Sequence, residues 1–271
     1  MKYSLCASFK AALHEPVLFR GAFDEAFFYA RELGFGGVEL HIRDTKELQK
    51  ATLLNASHET GVQLSCISTG LAYRVDGLSL TSEDSENRQQ AIQRVKEHLD
   101  FADAFGCKVL LGSMRGNLQF AEDTATYQRF LQSMQELAHY IDQKNCAIVL
   151  EAINRYENNY LNCAEKTIEF LRQVGSPKVK LLLDTFHMNM EETDALLALR
   201  HAGEWLGHFH VADNTRLYPG SGQINFAALL RTLEDIHYDG WVSVECLSVP
   251  DERTAAQKAL HYLKTLEVSS L

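Results

Sequence analysis

Residues 225–246 read NFAALLRTLEDIHYDGWVSVEC, and this stretch contains one complete helix-to-strand unit. Its apolar residues between Phe226 and Leu233 recur at the spacing of one helical face, and Gly240 interrupts the pattern. The short apolar run WVSVEC follows at residues 241–246 and is typical of a buried strand. The stretch therefore predicts an amphipathic helix that leads directly into a strand.

The same unit recurs along the whole chain, because short apolar runs alternate with longer segments of helical periodicity. The runs predict eight strands, at residues 3–8, 37–42, 62–68, 107–113, 146–152, 179–184, 206–212 and 241–246. The intervening segments predict helices at about 22–34, 45–60, 85–105, 122–144, 163–174, 192–203, 225–236 and 251–266.

Strict alternation of strands and helices implies a parallel sheet. Eight such units in 271 residues is about what a closed (β/α)8 barrel requires. A doubly wound open sheet is the alternative, but it would normally carry a Gly-rich phosphate turn after its first strand, where this chain reads ASFKAALHE. We therefore predict an α/β fold, a (β/α)8 barrel that forms one domain over residues 1–271.

Composition and charge narrow the class of protein. Hydrophobic residues make up 46% of the chain, so a folded core is expected. The formal charge of −10 argues against a nucleic-acid partner, since binding to phosphodiesters needs clustered Lys and Arg. The six cysteines show no zinc-site spacing, which favours buried reduced thiols. The sequence shows neither a signal-peptide core nor an apolar run of about 20 residues, so we predict a cytoplasmic protein without a membrane segment.

In a barrel of this type the active site lies at the carboxyl ends of the strands. Predicted strands 5 to 8 end in Glu151, Asp184, His210 and Glu245. One strand-terminal carboxylate is more often a helix cap, but four ligand-type side chains at equivalent positions indicate a metal site. Three oxygen donors and one imidazole suit one divalent ion. Mn²⁺ or Mg²⁺ fits this set best, with Co²⁺ and Zn²⁺ as alternatives.

Other polar residues surround these positions. His187 follows strand 6 closely enough to reach a ligand beside the metal, and Glu157 and Arg216 lie on the loops after strands 5 and 7. His208 faces the same way as His210 but lies one layer deeper, which favours a structural role. Several arginines follow strands 2 to 5 and either face solvent or hold an anionic group, namely Arg43, Arg74, Arg115 and Arg155.

The C-terminal half contains four recognisable motifs: LEAINRYE (150–157), LDTFHMNMEE (183–192), HFHVADNTRLYPGSG (208–222) and VSVEC (242–246). Together they resemble the xylose isomerase-like TIM barrels, and within them the D-tagatose 3-epimerase and hydroxypyruvate isomerase group. The resemblance implies that the four strand-end residues bind one divalent metal and that Glu151 and Glu245 form the acid/base pair. It also implies that Glu157, His187 and Arg216 hold substrate oxygens. The resemblance is specific for strands 5 to 8 and loose for the rest of the barrel.

The predicted function is a divalent-metal-dependent isomerase or epimerase of a sugar or sugar phosphate. A metal chelated by a ketose carbonyl and its neighbouring hydroxyl acidifies the adjacent C–H, so that one glutamate can remove the proton and leave a metal-bound enediolate. Return of a proton from the opposite face gives epimerisation, whereas return to the next carbon gives aldose–ketose isomerisation. Both outcomes use Glu151 and Glu245, so both stay open at this point.

Three other functions compete with this interpretation. A metal-dependent lyase or decarboxylase of a 3-oxo sugar acid would use the same chemistry, with arginines holding the carboxylate. An endonuclease IV-like phosphodiesterase would need histidines at the ends of strands 3 and 4, where the chain has Ser68 and Ser113. A non-catalytic sugar-binding barrel would lack one of the two glutamates. We expect a small sugar, sugar phosphate or sugar acid as the ligand, and a homo-oligomer, either a dimer or a tetramer.

The charge of the substrate is the least constrained feature. The loop after strand 7 contains Gly220 and Gly222, whose backbone N–H groups either bind a phosphate or only shape the turn after Pro219. Arg115, in the loop after strand 4, is a candidate for bidentate binding of a carboxylate or phosphate. We therefore predict that Arg115 contacts the end of the substrate distal to the reacting carbon.

Overall fold

The computed structural model describes residues 1–120 and 122–268, and its strands form a closed barrel of eight parallel strands. Neighbours in the barrel follow chain order, and the first strand closes against the last with Leu5 opposite Val244. The predicted single-domain (β/α)8 barrel is therefore confirmed. The strands are β1 (Lys2–Ala7), β2 (Gly37–His41), β3 (Gln63–Ser68), β4 (Lys108–Leu111), β5 (Ala147–Glu151), β6 (Val179–Asp184), β7 (Leu206–Val211) and β8 (Trp241–Val244).

Ten α-helices lie within the described ranges, and most of them connect successive strands as predicted. Two short helices, α3 and α7, were not predicted; each begins at the carboxyl end of a strand, on the rim where the candidate site lies. The helices are α1 (Glu25–Leu33), α2 (Lys50–Thr60), α3 (Gly70–Asp76), α4 (Ser85–Asp103), α5 (Thr124–Ile141), α6 (Ala164–Val174), α7 (Thr185–Glu191), α8 (Ala195–Ala202), α9 (Phe226–Asp235) and α10 (Glu252–Val268).

The unit that contains α9 and β8 shows how the pattern folds. The side chain of Asn225 caps α9 by accepting a hydrogen bond from the backbone N–H of Ala228, at 3.1 Å. The apolar face of the helix, from Phe226 to Leu233, is buried against the barrel. Full burial of each large apolar side chain stabilises the fold by about 1.5–3 kcal/mol. The helix therefore depends on this face more than on its local propensity.

The interior of the barrel is divided into an apolar and a polar part. Side chains from β3 to β6 form a separate apolar cluster, composed of Cys66, Leu110, Val149 and Leu182. On the other side, β1 and β8 are joined by a hydrogen bond between the hydroxyls of Ser4 and Ser243, at 2.9 Å, and Glu39 on β2 is fully buried. No helix among those described is long and apolar enough to cross a membrane.

Candidate active site and metal centre

Four ligand-type side chains converge at the carboxyl ends of β5 to β8. Each offers one ligand atom, and these atoms all lie within 4.8 Å of one another. All four residues are buried. Three buried carboxylates at such a separation are costly unless positive charge balances them. The cluster consists of Glu151, Asp184, His210 and Glu245.

The register of the barrel explains why these residues meet. Asp184 on β6 pairs directly with His210 on β7, and Glu245 immediately follows β8. Asp184 also acts as a helix cap, since its Oδ1 accepts a hydrogen bond from the backbone N–H of Phe186 at 2.8 Å. The capping and ligand interpretations of this aspartate are therefore compatible, because one oxygen caps α7 and Oδ2 faces the cluster.

The imidazole of His210 is oriented to act as a ligand. Its Nε2 lies 3.1 Å from Oε2 of Glu39, which can only accept a hydrogen bond. Its buried Nδ1 makes no hydrogen bond within the described residues and lies 3.3 Å from Oε2 of Glu245. A proton on Nε2 leaves a lone pair on Nδ1 directed toward the carboxylates. This lone pair and the three carboxylates are a donor set that fits a divalent cation.

Gly112, just after β4, makes room for the first carboxylate of the cluster. A Cβ atom at this position would lie 2.7 Å from Oε2 of Glu151, which is too close for a real side chain. Because residue 112 has no side chain, the carboxylate of Glu151 can pack directly against the backbone that follows β4. Any larger residue at position 112 would displace that carboxylate.

Arg216 supplies positive charge to the cluster. Its Nη1 donates to Oδ2 of Asp184 at 2.5 Å, and its Nη2 donates to Oε2 of Glu245. The guanidinium also lies over the ring of Phe186, 4.7 Å from the centroid. Burial alone would raise the pKa of Glu245, but Arg216 and His210 hold that pKa well below its usual range. Glu245 is therefore a carboxylate at neutral pH.

His187 and Glu157 are held by one residue that was not predicted, Asn154. The amide nitrogen of Asn154 lies 2.7 Å from Nδ1 of His187 and 2.7 Å from Oε1 of Glu157. The other ring nitrogen of His187, Nε2, lies 3.4 Å from Oε1 of Glu151. His187 belongs to α7 and not to an irregular turn. The structure thus brings both residues to the cluster.

The cluster opens into a cavity of about 160 Å³. Ligand pockets for drug-sized molecules are typically about 300–1,000 Å³, so this cavity suits a smaller ligand. The C-terminal half of the barrel lines it with Glu151, Glu157, His187, Arg216 and Glu245. The polar lining from the N-terminal half consists of Glu15, His41, Ser68, Arg74 and Ser113.

Arg115 does not reach this cavity, and the predicted substrate contact is contradicted by the geometry. The side chain is fully buried, and its Nη1 donates to the backbone carbonyls of Glu151 at 2.9 Å and Leu161 at 3.3 Å. Its guanidinium lies over the ring of Tyr160, 5.2 Å from the centroid. The reason is that the short 3₁₀ turn Ser113–Arg115 directs the side chain into the protein. Arg115 anchors the backbone of Glu151.

Gly220 and Gly222 do not offer free N–H groups to an anion. Both N–H groups donate to Oδ2 of Asp213, at 3.0 and 2.8 Å. The other oxygen of Asp213 accepts from the backbone N–H of Ile224 at 3.1 Å. Anion binding by these two glycines is therefore excluded in this conformation, and the alternative that they shape the turn is supported. The buried carboxylate of Asp213 organises the loop that carries Arg216.

Two further polar residues, Glu39 and His41, were missed because both lie on β2, in the N-terminal half. Oε1 of Glu39 lies 3.2 Å from Nε2 of His41, and its Oε2 lies 2.8 Å from Nε2 of His208. Nε2 of His41 is also 3.6 Å from Oε1 of Glu245. The available signal was the charged residue inside the apolar run GVELHI, with a histidine two positions later on the same strand face.

The model of the xylose isomerase-like TIM barrel family matches residues 27–266, so the chain belongs to this family. A D-psicose 3-epimerase of Enterocloster bolteae is 34% identical over 62% of this chain and 57% of its own length, so the chain spans less than two thirds of that relative. An L-ribulose 3-epimerase of Mesorhizobium japonicum is 29% identical over 85% of this chain and 78% of its own length.

Solved structures show the same fold. A structure of L-ribulose 3-epimerase superposes with a TM-score of 0.85 at 24% identity, covering 100% of this chain and 97% of that one. A D-psicose 3-epimerase from Clostridium cellulolyticum H10, solved with D-tagatose, gives a TM-score of 0.84 at 22% identity and covers 98% and 99% of the two chains. The match of the family model over most of the chain confirms the resemblance that the motifs indicated. Both relatives are named 3-epimerases, which agrees with the isomerase class predicted from the sequence.

Proposed function

We propose that the chain is a divalent-metal-dependent ketose 3-epimerase that acts on an unphosphorylated sugar. The observation that carries the proposal is the position of two carboxylates, Glu151 and Glu245, which line one small cavity from strands three positions apart in the barrel order. Both also belong to the four-residue cluster that fits a divalent cation. The related 3-epimerases support the same reaction class.

The metal would be held by Glu151, Asp184, His210 and Glu245. When bound there, a divalent cation polarises a ketose carbonyl and lowers the pKa of the neighbouring C–H group. Because three of the four donors are carboxylates, Mn²⁺ or Mg²⁺ suits the set better than Zn²⁺, which usually has more nitrogen or sulfur ligands.

The two glutamates would move the protons. One carboxylate removes the proton from C3 of the ketose, and the carboxylic acid form of the other returns a proton to the opposite face of the same carbon. The carbon skeleton and its oxidation state are unchanged, so inversion at C3 is the net result. His187 beside Glu151 and Arg216 beside Glu245 would orient the sugar oxygens between the two carboxylates.

The charges around the cavity favour a neutral sugar over an anionic one. Arg74 at the cavity donates to Glu15 at 3.0 Å, and Arg155 forms a two-point ion pair with Glu191, with both distances 2.9 Å. Arg115 is fully buried and donates to the backbone carbonyls of Glu151 and Leu161. Arg43 is paired with Asp76, and the charge of Arg74 at the cavity is balanced by Glu15. All four arginines proposed from the sequence to hold an anionic group are thus engaged by groups of the protein. This argues against a sugar phosphate and against a lyase that acts on a sugar acid.

The proposal is tested by combining metal analysis with substitutions at the four residues of the cluster. Elemental analysis of the purified protein should find one divalent ion per chain, and Asp184→Asn or His210→Ala should lose it. Glu151→Gln and Glu245→Gln should each abolish epimerisation while the fold is retained, and Glu165→Gln on the exposed face of α6 is the matched control.

Two results would contradict the proposal. One is a stoichiometry of two or three ions at full occupancy. The other is retention of more than about a tenth of the wild-type rate by either glutamine variant, which corresponds to a loss of less than ~1.4 kcal/mol of transition-state stabilisation. The oligomeric state predicted from the sequence, a homodimer or a homotetramer, stays a prediction.

A further inference from the structure

The side chain of Glu39 is buried in the barrel interior, and its carboxylate reaches across from β2 to β7. Glu39 lies on β2, whose neighbours in the barrel are β1 and β3, yet it contacts two histidines on β7 that are 169 and 171 residues away in the chain. The residue is fully buried. Apolar side chains fill the other part of the interior. A buried carboxylate costs several kcal/mol more than an apolar side chain unless its partners compensate for it.

The partners of Glu39 are three imidazoles, and all of them face it with Nε2. Oε2 lies 2.8 Å from His208 and 3.1 Å from His210, and Oε1 lies 3.2 Å from His41. A carboxylate only accepts hydrogen bonds, so each of these Nε2 atoms must carry its proton. The contacts therefore determine the tautomer of every histidine around Glu39.

For His210 this choice of tautomer decides which nitrogen can bind a metal. With the proton on Nε2, the lone pair is on Nδ1, the nitrogen that makes no hydrogen bond among the described residues and faces Glu245. With the proton on Nδ1, the same ring would present an N–H to the carboxylates and could not act as a ligand there. Second-sphere carboxylates of this kind also make the ligand nitrogen more basic.

We propose that Glu39 is a positioning residue of the metal centre, which holds His210 as an Nδ1 ligand by accepting the proton on its Nε2. His208 keeps the carboxylate of Glu39 in place from the deeper side. His41, which lines the cavity and lies 3.6 Å from Glu245, links the same carboxylate to a second residue of the cluster. This inference rests on the proposed metal dependence.

The direct test is the affinity of the metal-stripped full-length protein for Mn²⁺, measured by calorimetric titration. Glu39→Gln keeps the shape of the side chain but replaces one acceptor oxygen with an N–H₂ donor, so it cannot accept from all three histidines. We expect its Kd for Mn²⁺ to rise about 10–100-fold, as is typical for loss of a second-sphere carboxylate. At saturating Mn²⁺, kcat should fall while the KM for the sugar stays within about threefold of the wild type, because Glu39 is fully buried and is not among the described residues that line the cavity.

His98→Gln is the matched control, because His98 is an equally buried histidine that bonds to the carbonyl of Arg94 and lies outside the cluster. Its Kd for Mn²⁺ should equal that of the wild type. A folded Glu39→Gln variant with an unchanged Kd would overturn the positioning role. If the wild type itself binds no divalent ion, the proposed function fails instead, so the two failures are distinguishable.

A second measurement needs no substitution at Glu39. Long-range ¹H–¹⁵N correlation spectra of the protein loaded with diamagnetic Mg²⁺ report which nitrogen of each histidine carries the proton, and the signals of His210 can be assigned by comparison with His210→Ala. We expect the Nε2–H tautomer at His210 near pH 7.5. The Nδ1–H tautomer at this residue would overturn the proposal even if Glu39→Gln did not fold.

Discussion

The amide nitrogen of Asn154 lies 2.7 Å from Nδ1 of His187, so the amide donates and the ring nitrogen accepts. His187 is therefore an Nε2–H tautomer. Its Nε2 faces Glu151 and lies 3.4 Å from Oε1 of that residue. The same amide group also contacts Glu157. One asparagine thus determines both the tautomer of His187 and the position of a second side chain proposed to hold substrate oxygens.

Replacement of Asn154 tests this arrangement. Asn154→Ala removes the donor and leaves two buried or partly buried acceptors unpaired, which costs about 1–3 kcal/mol. We expect kcat/KM for a ketose to fall by about 5- to 150-fold, a factor that follows from that energy. Steady-state kinetics measure it, and Asn158→Ala is the matched control, since Asn158 is buried in the same loop but bonds to the carbonyl of Gly116. Equal losses in the two variants would argue against the proposed role.

Gly112 provides a second test of the site geometry. A Cβ at this position would lie 2.7 Å from Oε2 of Glu151, so Gly112→Ala should displace that carboxylate from both the cluster and the substrate. We expect kcat to fall by at least about tenfold, because an error of about 1 Å in the position of a reacting group can cost about 100-fold. Kinetics and Mn²⁺ titration of the variant would show both effects.

The matched control for this glycine is Gly36→Ala. A Cβ at Gly36 would meet the ring of Trp241 at 3.6 Å, which is ordinary contact. This variant should keep wild-type kinetics. A Gly112→Ala enzyme with wild-type kcat would show that Glu151 can move without loss of function. This result would contradict the proposal that the Glu151 carboxylate transfers a proton from a fixed position.

Much of the barrel and the meeting of the four ligand-type side chains could be predicted from the sequence, because both depend on local patterns. The range predicted for β6 agrees with the structure at both ends. The carboxyl ends of parallel strands meet at one rim, so the positions of Asp184 and His210 follow from the alternation alone. The helix α7 was missed because its apolar residues, Phe186, Met188 and Met190, are spaced by two and not by three or four.

The polar interior could not be predicted in the same way. The contact between Glu39 and His208 joins residues 169 positions apart, and it depends on closure of the barrel. The direction of Arg115 depends on a single 3₁₀ turn after β4, which no periodicity reveals. Sequence patterns place a residue on an element, whereas these two roles depend on where the side chain points after tertiary packing.

We expect Arg115 to contribute to the stability of the fold and not to the binding of a charged substrate. Arg115→Ala removes a large, fully buried side chain, so we expect the free energy of unfolding to fall by about 2–5 kcal/mol. Urea unfolding measures this, and Arg172→Ala on the exposed surface of α6 should change stability by less than about 0.5 kcal/mol. A variant of normal stability whose KM for ketoses rises more than tenfold would restore the original prediction of a substrate contact.

The pH dependence of stability should contain a contribution from His98. Burial lowers the pKa of His98 to about 4, whereas an unfolded histidine titrates near about 6.5. The unfolded chain therefore binds a proton first as the pH falls, and the stability contributed by neutral His98 is complete above about pH 6.5 and lost progressively toward pH 4. At pH 5 the wild type should have lost about 2 kcal/mol more, relative to pH 7, than His98→Leu. Urea unfolding of both proteins at the two pH values measures this, and identical pH profiles would exclude the effect.

The location of deuterium in the product is the most direct test of the central claim that Glu151 and Glu245 exchange protons at C3 of a neutral ketose. The Mn²⁺-loaded enzyme would be incubated in D₂O with D-psicose, D-tagatose or L-ribulose, and the products would be analysed by NMR and mass spectrometry, with Glu151→Gln as the inactive control. The account predicts a ketose product inverted at C3 that carries one deuterium on that carbon. An aldose product that carries deuterium at C2, or a C3 epimer formed without deuterium, would contradict it.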